Sequence, residues 1–170
     1  MEFQQVIRDR YSCKKFDGRP VAKEALEKIL EAGRLAPTAK NLQEQRIYVV
    51  QSEEGLAKID KLTPCRYSAA TVLVVAWDKK NVFVYPGEKR DSGAEDATIV
   101  ATHMMLAAKD AGVDSCWINF FDPAVAAETL GLPENEEVLM LLDLGYAAEG
   151  TKPLNWHNER KALSETVVYM

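Results

Sequence analysis

The stretch Thr71–Trp77, TVLVVAW, is a continuous run of apolar and β-branched residues near the middle of the chain. Such a run predicts a strand that is covered on both of its faces. Three further stretches predict the other strands of one sheet: Arg46–Gln51, Ser115–Phe121 and Glu137–Tyr146. Since a strand covered on both faces needs a layer on each side, this sheet decides the fold.

The segments between these strands have the pattern of helices. They cover residues 2–10, 22–35, about 53–62, about 93–111 and Pro123–Leu130. Ser52 is expected to cap the third of them. The order of elements predicts an α+β fold, with mixed α/β layers around one sheet, formed as a single domain over residues 1–170.

The helix expected at 93–111 has an uncharged middle, Ala97–Ala108. A helix without a polar face is buried on all sides, and in a small domain a second subunit is one way to cover the far side. His103 is then expected to be a core histidine. The end of the chain, Glu165–Met170, is β-like and apolar, and we expect it to add to a sheet edge of its own subunit or of a partner.

Composition excludes several classes of function. The 170 residues carry a formal net charge of −5, which argues against general nucleic-acid binding. Three widely spaced cysteines and two histidines argue against a disulfide framework, a zinc site and metal catalysis. The N-terminal MEFQQVIRDR lacks the apolar core of a secretory signal, and no apolar run is long enough to span a bilayer. The expectation is a cytoplasmic protein with reduced thiols and no membrane contact.

The familiar nucleotide and nucleophile motifs are missing from the sequence. The nine glycines form neither a G-x-G-x-x-G fingerprint nor a P-loop. There is no nucleophile elbow, and neither histidine has the context of a triad. A separate dinucleotide-binding fold is therefore not predicted.

Two groups of polar and basic residues lie at opposite ends of the chain. Arg10, Ser12 and Lys14 are spaced two apart, so in an extended backbone they project to one side. A guanidinium, a hydroxyl and an ammonium that face one point suit a phosphate group. Arg160 and Lys161 form a second basic pair. Taken alone, such short basic runs are also typical of a solvated surface.

Two other segments carry candidate binding groups. In Pro37–Gln43, PTAKNLQ, the carboxamides of Asn41 and Gln43 donate and accept hydrogen bonds at once, which suits the pyrimidine edge of a flavin. The alternative there is a helix end followed by a turn. In Cys116–Asn119, CWIN, either Trp117 packs in a core strand or the strand end presents a backbone N–H to a cofactor.

Taken in order, these pieces resemble the nitroreductase family of flavoproteins. The sequence RYSCKKF at 10–16 resembles that family's R-x-S-x-R-x-F phosphate motif, and PTAKNLQ resembles its P-[ST]-x-x-N-x-Q loop. AAKDAGVDSCWI resembles the segment that runs from the central helix into the next strand. LGLPENEEVLMLLDLGY, followed by KP and ERK, resembles the closing strand and the C-terminal basic residues. The resemblance spans nearly the whole chain.

The resemblance implies an FMN-dependent oxidoreductase that passes hydride from NADH or NADPH to a small oxidised acceptor, such as a nitroaromatic or a quinone, in a ping-pong cycle. It implies a homodimer with two identical flavin sites at the interface. The implied fold is a central mixed, mainly antiparallel sheet flanked by helices, with a C-terminal arm exchanged between subunits.

The resemblance also implies roles for single residues. Arg10, Ser12, Lys14 and Arg160 would hold the FMN phosphate, Asn41 would meet the isoalloxazine ring, and the Ile118–Asn119 backbone would lie near the reactive flavin nitrogen. The full candidate cofactor-binding set is Arg10, Ser12, Lys14, Pro37, Thr38, Asn41, Gln43, Ile118, Asn119, Arg160 and Lys161, with no catalytic side chain and no metal.

Three departures from the family pattern keep alternatives open. Lys14 stands where the family usually has Arg, Glu44-Gln45 replaces the usual Pro-Trp, and the segment Asp78–Ser92 is short. One alternative is a flavin-binding or flavin-storage protein with a degenerate site. A second is another flavin chemistry on the same scaffold, such as reductive dehalogenation or oxidative breakdown of the flavin. A third is an α/β interaction domain without a cofactor.

Overall fold

A four-stranded sheet organises the chain, which a computed structural model describes over all 170 residues. The strands are β1 Gln45–Val50, β2 Thr71–Asp78, β3 Asp114–Ile118 and β4 Glu136–Gly145, in the spatial order β1-β2-β4-β3. Each neighbouring pair is antiparallel. The predicted α+β class is confirmed. The expected mixed sheet is wrong in detail, since the one parallel contact is an isolated bridge between Ser12 and Ser115.

Six α-helices accompany the sheet. They are α1 Phe3–Asp9, α2 Lys23–Arg34, α3 Glu53–Leu62, α4 Gly93–Asp110, α5 Pro123–Leu130 and α6 Leu163–Thr166, with single 3₁₀ turns at Ala39–Asn41, Pro64–Arg66 and Asn155–Asn158. The Ser52 hydroxyl accepts the Gly55 N–H at 3.1 Å and caps α3 as predicted. None of these helices has the length and apolar character that a bilayer crossing requires.

Helices cover both faces of the sheet, as the apolar run at 71–77 predicts. Leu73, Val75 and Trp77 of β2 pack in one core with α2 and α4. Val72 and Val74 pack on the opposite face with α3 and α5. Because β2 is buried along nearly its whole length, it fixes the positions of the helices on both sides.

Two glycines allow α4 to lie close to its neighbours. A Cβ at Gly33 of α2 would lie 2.8 Å from Cγ of Met104, and a Cβ at Gly93 would lie 2.1 Å from Nε1 of Trp77. Both positions therefore require a hydrogen in place of a side chain. The N-terminus of α4 is consequently held directly against the sheet.

The outer side of α4 differs from its prediction. One face is packed, but in the isolated chain Ile99 is 37% exposed and His103 is half-buried, so the expectations of all-round burial and of a core histidine are wrong for the single chain. The polar residues Thr98 and Thr102 of this helix turn their hydroxyl groups back onto the helix backbone. Their hydroxyls donate to the carbonyls of Ala94 and Thr98, which leaves an outer face of apolar character.

Two chain segments also depart from the predicted strands. The tail is not a strand: Glu165 accepts the Ala162 N–H at 2.9 Å and starts the short helix α6. The last residues, 167–170, are exposed and pair with no strand of the chain. Strand β3 ends at Ile118, so Asn119–Phe121 lie beyond it.

Candidate functional site

The segment that follows α1 runs extended along the edge of β3. The Cys13 N–H donates to the Ser115 carbonyl at 2.9 Å, and the Phe16 N–H donates to the Tyr67 carbonyl at 2.9 Å. Cys13 is fully buried, whereas Ser12 and Lys14 on either side of it are exposed. The side chains of this segment therefore alternate between exposed and buried positions, as the two-residue spacing predicts.

A small pocket at this edge joins the two ends of the chain. We name it the basic pocket; it has a volume of about 120 Å³ and is lined by Arg10, Tyr11, Ser12, Leu154, Trp156, His157 and Arg160. The C-terminal side is held in place by His157, whose Nε2 lies 3.3 Å from the Arg8 carbonyl oxygen. Arg160 donates to the carbonyls of His157 and Glu159 at 2.7 and 2.6 Å.

The basic pocket holds positive charge without a neutralising partner. None of the ion pairs of the chain involves Arg10, Lys14 or Arg160. Burial and the nearby charge of Arg160 lower the pKa of Arg10. Two guanidinium groups that lie near each other with no carboxylate are poised to bind an anion, since an anion relieves their mutual repulsion.

Lys14 lies beside this pocket rather than in it. Its Nζ donates to the Tyr67 hydroxyl at 3.2 Å and lies 5.2 Å from the centre of the Tyr67 ring. The hydrogen bond from Lys14 to Tyr67 raises the pKa of the lysine. Lys161, the other basic candidate, is exposed and makes no hydrogen bond or ion pair within the chain. Neither lysine lines the pocket, and the roles of both remain predictions.

The segment 37–43 forms an irregular loop, here called the carboxamide loop. Lys40, Asn41 and Gln43 have φ angles of 51°, 56° and 55°, in the left-handed region that side chains rarely adopt. Thr38 Oγ1 accepts the Gln43 N–H at 3.0 Å, and the Gln43 side chain donates to the Asn41 carbonyl at 3.2 Å. Pro37 is exposed at its start. The Asn41 carboxamide is exposed and makes no hydrogen bond within the chain.

The carboxamide loop and the basic pocket lie at opposite ends of α4. The loop is tied to Asp96 in the first turn by the Ala39 N–H at 3.0 Å. At the other end, Lys109 lies 5.8 Å from the ring centre of Tyr11, which lines the pocket. The rise of 1.5 Å per residue separates Asp96 from Lys109 by roughly 20 Å. One chain therefore does not bring the two groups together.

The third predicted segment lies along the same edge as the basic pocket. Ile118 is buried at the end of β3, and Asn119 is exposed with its Oδ1 accepting from the Trp117 indole at 2.8 Å. At 3.3 Å per residue, Asn119 lies roughly 13 Å along the strand direction from Ser115, the bridge partner of Ser12. Trp117 is half-buried, so the segment is partly core and partly open.

The sequence did not single out several residues that belong to these sites. Leu154, Trp156 and His157 line the basic pocket, and the signal available was the polar stretch around KPLNWHNERK. Glu44, which the sequence marked only as a departure from the family pattern, and Asp96 are buried beneath the carboxamide loop at 0% and 5% exposure. No local pattern could reveal that pair, because its members are far apart in the chain.

The fold and the basic pocket together define an α+β protein with an unneutralised cationic pocket at one edge of its sheet. The chain belongs to the nitroreductase family: the family model described as "Nitroreductase family" matches residues 7–68 and 64–146. This confirms the resemblance seen in the sequence.

Relatives and solved structures agree with this family. The chain is 27% identical to MhqN of Bacillus subtilis, a candidate NAD(P)H nitroreductase, over 99% of both chains. It is 31% identical to the NADPH-flavin oxidoreductase of Vibrio harveyi over 79% of this chain and 61% of that protein. A nitroreductase family protein from Clostridium difficile has 37% identity and a TM-score of 0.92, covering 99% and 98% of the two chains.

One solved neighbour carries the cofactor in its crystal. The nitroreductase-like protein from Exiguobacterium sibiricum in complex with FMN is 22% identical, with a TM-score of 0.87, and covers 100% of this chain and 98% of that one. At this identity the likeness establishes the shared fold.

Proposed function

We propose that this chain is an FMN-dependent oxidoreductase, acting over residues 1–170 as one flavin-binding domain. The observation that carries the proposal is the meeting of Arg10 and Arg160 in one pocket with Ser12 and without a carboxylate. A phosphate dianion suits this set, because two guanidiniums and a hydroxyl supply charge and directed donors. The name of the Vibrio relative, which includes both NADPH and flavin, supports the same conclusion.

The residues present fit the rest of FMN as well. The exposed carboxamides of Asn41 and Gln43 can pair with the alternating donors and acceptors of a flavin ring. The Ile118–Asn119 backbone lies farther along the edge on which the basic pocket sits, so an elongated ligand with its phosphate in the pocket would extend toward it. When bound, FMN accepts hydride from NADH or NADPH and gives it to an oxidised acceptor. The protein's part is to bind and orient.

We further propose that NADH or NADPH and a small oxidised acceptor, such as a nitroaromatic or a quinone, use one cleft in turn. The sequence lacks a dinucleotide fingerprint, and a shared cleft over the flavin requires none. The short segment 78–92 leaves this cleft with few covering residues. Lys40 lies 4.9 Å from the centre of the Phe83 ring, so the segment borders the carboxamide loop.

A homodimer is part of the proposal, because the two halves of the site lie at opposite ends of α4 in one chain. The outer face of α4 is uncharged between Ala97 and Ala108 and leaves Ile99 exposed. A two-fold axis that pairs antiparallel α4 helices would bring the carboxamide loop of one subunit toward the basic pocket of its partner. The exposed apolar residues Leu163, Val168 and Tyr169 of the C-terminal arm would then be covered where the arm packs on the partner subunit.

Titration with FMN tests the basic pocket. Arg10→Ala and Arg160→Ala each remove a charge-assisted contact worth on the order of 1.5–3 kcal/mol. We expect roughly 10- to 150-fold weaker FMN binding for each variant, measured by the change in flavin fluorescence. Lys15→Ala is the matched control, because Lys15 is exposed and lies outside the pocket. Unchanged affinity in both arginine variants would remove the pocket from the site.

Reduction of the FMN-loaded protein tests the chemistry. Under anaerobic conditions, NADH or NADPH is expected to bleach the visible absorbance of the flavin, and an added quinone or nitroaromatic to restore it. If the absorbance persists with both nicotinamide cofactors while FMN binds tightly, the reductase function is excluded. That result would instead support a flavin-binding or flavin-storage protein.

A further inference from the structure

Two buried carboxyl groups meet beneath the carboxamide loop. Glu44 directly follows the loop and is fully buried, and Asp96 lies in the first turn of α4 at 5% exposure. One oxygen of each has a donor. The Ser92 hydroxyl lies 3.3 Å from Oε1 of Glu44, and the Ala39 N–H donates to Oδ1 of Asp96 at 3.0 Å. The other oxygens, Oε2 of Glu44 and Oδ2 of Asp96, are buried with no partner from any donor group.

A single shared proton accounts for both orphaned oxygens. Two ionised carboxylates side by side in the protein interior would repel each other at high cost, so one of them holds a proton. Asp96 is placed as the acceptor of the pair, because it already accepts a backbone N–H and lies at the positive end of α4. Glu44 then donates its carboxyl proton to Oδ2 of Asp96, which satisfies both atoms. Burial and the hydrogen bond with Asp96 raise the pKa of Glu44 to about 7.

No cation neutralises the pair from the surrounding elements. The other charged groups there are engaged elsewhere: Lys40 over the Phe83 ring, Arg46 with Glu136 and Asp78, Glu95 with Arg90 and Tyr85, and Asp91 with the Gly93 N–H. The proton is therefore the only charge-balancing group available to Glu44.

The pair is attached to the loop from both sides. Asp96 holds the Ala39 N–H at the start of the 3₁₀ turn, and Glu44 is covalently joined to Gln43. Between these two anchors lie Lys40 and Asn41, which with Gln43 have left-handed backbone conformations. Such conformations persist only where surrounding contacts impose them. Two other polar side chains hold the loop: Thr38, which accepts from the Gln43 N–H, and Asn81, whose Nδ2 donates to the Leu42 carbonyl at 2.8 Å.

We propose that Glu44 and Asp96 are a positioning pair that, by sharing one proton, holds the carboxamide loop in the conformation that presents Asn41 and Gln43 to the flavin. The flavin part rests on the proposed function, and the loop part does not. Neither carboxyl group touches the ligand; both act through Ala39 and the loop backbone.

The proton gives the positioning pair a pH dependence of known sign. Because the folded pKa of Glu44 is raised from 4.5 to about 7, the protonated pair is complete at low pH and is lost as pH rises through about 7. Glu44→Gln keeps a donor toward Asp96 and cannot ionise, so it is expected to rescue the loop at high pH. Glu44→Ala removes the donor at every pH. Glu149→Gln, at an exposed position, is the matched control.

The first measurement uses the full chain without flavin. The rate of hydrogen exchange of the Ala39 amide is measured for wild type and for Glu44→Gln at pH 6 and at pH 8.5. At each pH the rate of one protein is divided by that of the other, which cancels the intrinsic pH dependence of exchange. We expect equal protection at pH 6 and at least fivefold lower protection of wild type at pH 8.5, with Glu44→Ala unprotected at both. Equal protection in all three proteins at both pH values overturns the proposal. If Glu44→Gln does not fold, Asp96→Asn replaces it, because its Nδ2 donates to Glu44 while its Oδ1 still accepts from Ala39.

The second measurement is FMN affinity of the same proteins. The ratio of dissociation constants, wild type over Glu44→Gln, is expected to rise from near one at pH 6 to about fivefold at pH 8.5. Titration of the FMN phosphate cancels in this ratio, since the ligand is the same. A ratio that does not change with pH overturns the positioning of the flavin-binding groups. Failure of wild type to bind FMN at any pH refutes the proposed function instead, and the Ala39 exchange then decides the positioning pair alone.

Discussion

At the residue scale, the chain buries one carboxyl group that has no hydrogen-bond partner at all. Asp143 lies near the end of β4 with 0% exposure, and neither of its oxygens accepts a hydrogen bond. Arg66 is nearby, but its guanidinium is committed to Asp60 and to the Ala69 carbonyl. Burial raises the pKa of Asp143 to about 8, so the group is neutral at pH 7.

The stability of the fold is predicted to fall with rising pH because of Asp143. Its folded pKa of about 8 exceeds its ordinary value of 3.8, so its contribution is complete below pH 3.8 and is lost as pH rises through about 8. Between pH 7 and pH 8, the titration of Asp143 alone should lower the free energy of unfolding by up to about 1.4 kcal/mol per pH unit. Urea unfolding at pH 5, 7 and 9 measures it.

Asp143→Asn is the variant that isolates this carboxyl group. Its amide is neutral at every pH, so between pH 7 and 9 its unfolding free energy should fall much less than that of wild type, and at pH 9 it should exceed that of wild type. Glu149→Gln, at an exposed position, should keep the wild-type slope. A slope in Asp143→Asn as steep as in wild type would mean that Asp143 does not bind the proton.

Local residue patterns carry part of the site and miss the rest. Arg10 and Ser12 share a two-residue period, and the structure places both in one pocket with Arg160. Lys14 has the same spacing, but its Nζ donates to the Tyr67 hydroxyl and its side chain does not line the pocket. A period in the sequence gives the direction of a side chain and not its partner. For the same reason, the meeting of Glu44 and Asp96 is visible only in the folded chain.

At the scale of elements, the predictions that succeed are those for apolar segments that the chain itself covers. The apolar run at 71–77 is confirmed as β2 because its side chains fill cores on both faces of the sheet. The same kind of argument fails for the outer side of α4 and for the tail 165–170. Those residues are apolar without being covered by their own chain. Apolar composition therefore predicts that a surface favours burial, but it does not predict whether the same chain or another chain covers it.

At the scale of the whole molecule, the proposed dimer makes a site that no single chain contains. The basic pocket and the carboxamide loop are separated by most of the length of α4. A flavin held by both must then take them from different subunits. Lesions placed in the two halves should therefore complement each other in a mixed dimer, whereas two lesions in the same half should not.

Co-expression of differently tagged chains tests this directly. Arg10→Ala is paired with a chain carrying Asn41→Ala and Gln43→Ala, and FMN content is measured at a concentration that neither parent binds. Half of randomly assorted dimers are mixed, and each has one intact site of its two, so about a quarter of the wild-type FMN content should return. Arg10→Ala paired with Arg160→Ala is the matched control. Both lesions there fall in the basic pocket, so every site of a mixed dimer is damaged. No recovery in the first pairing would place the loop and the pocket of one site on the same chain, whereas recovery in the control would place Arg10 and Arg160 of one pocket on different chains.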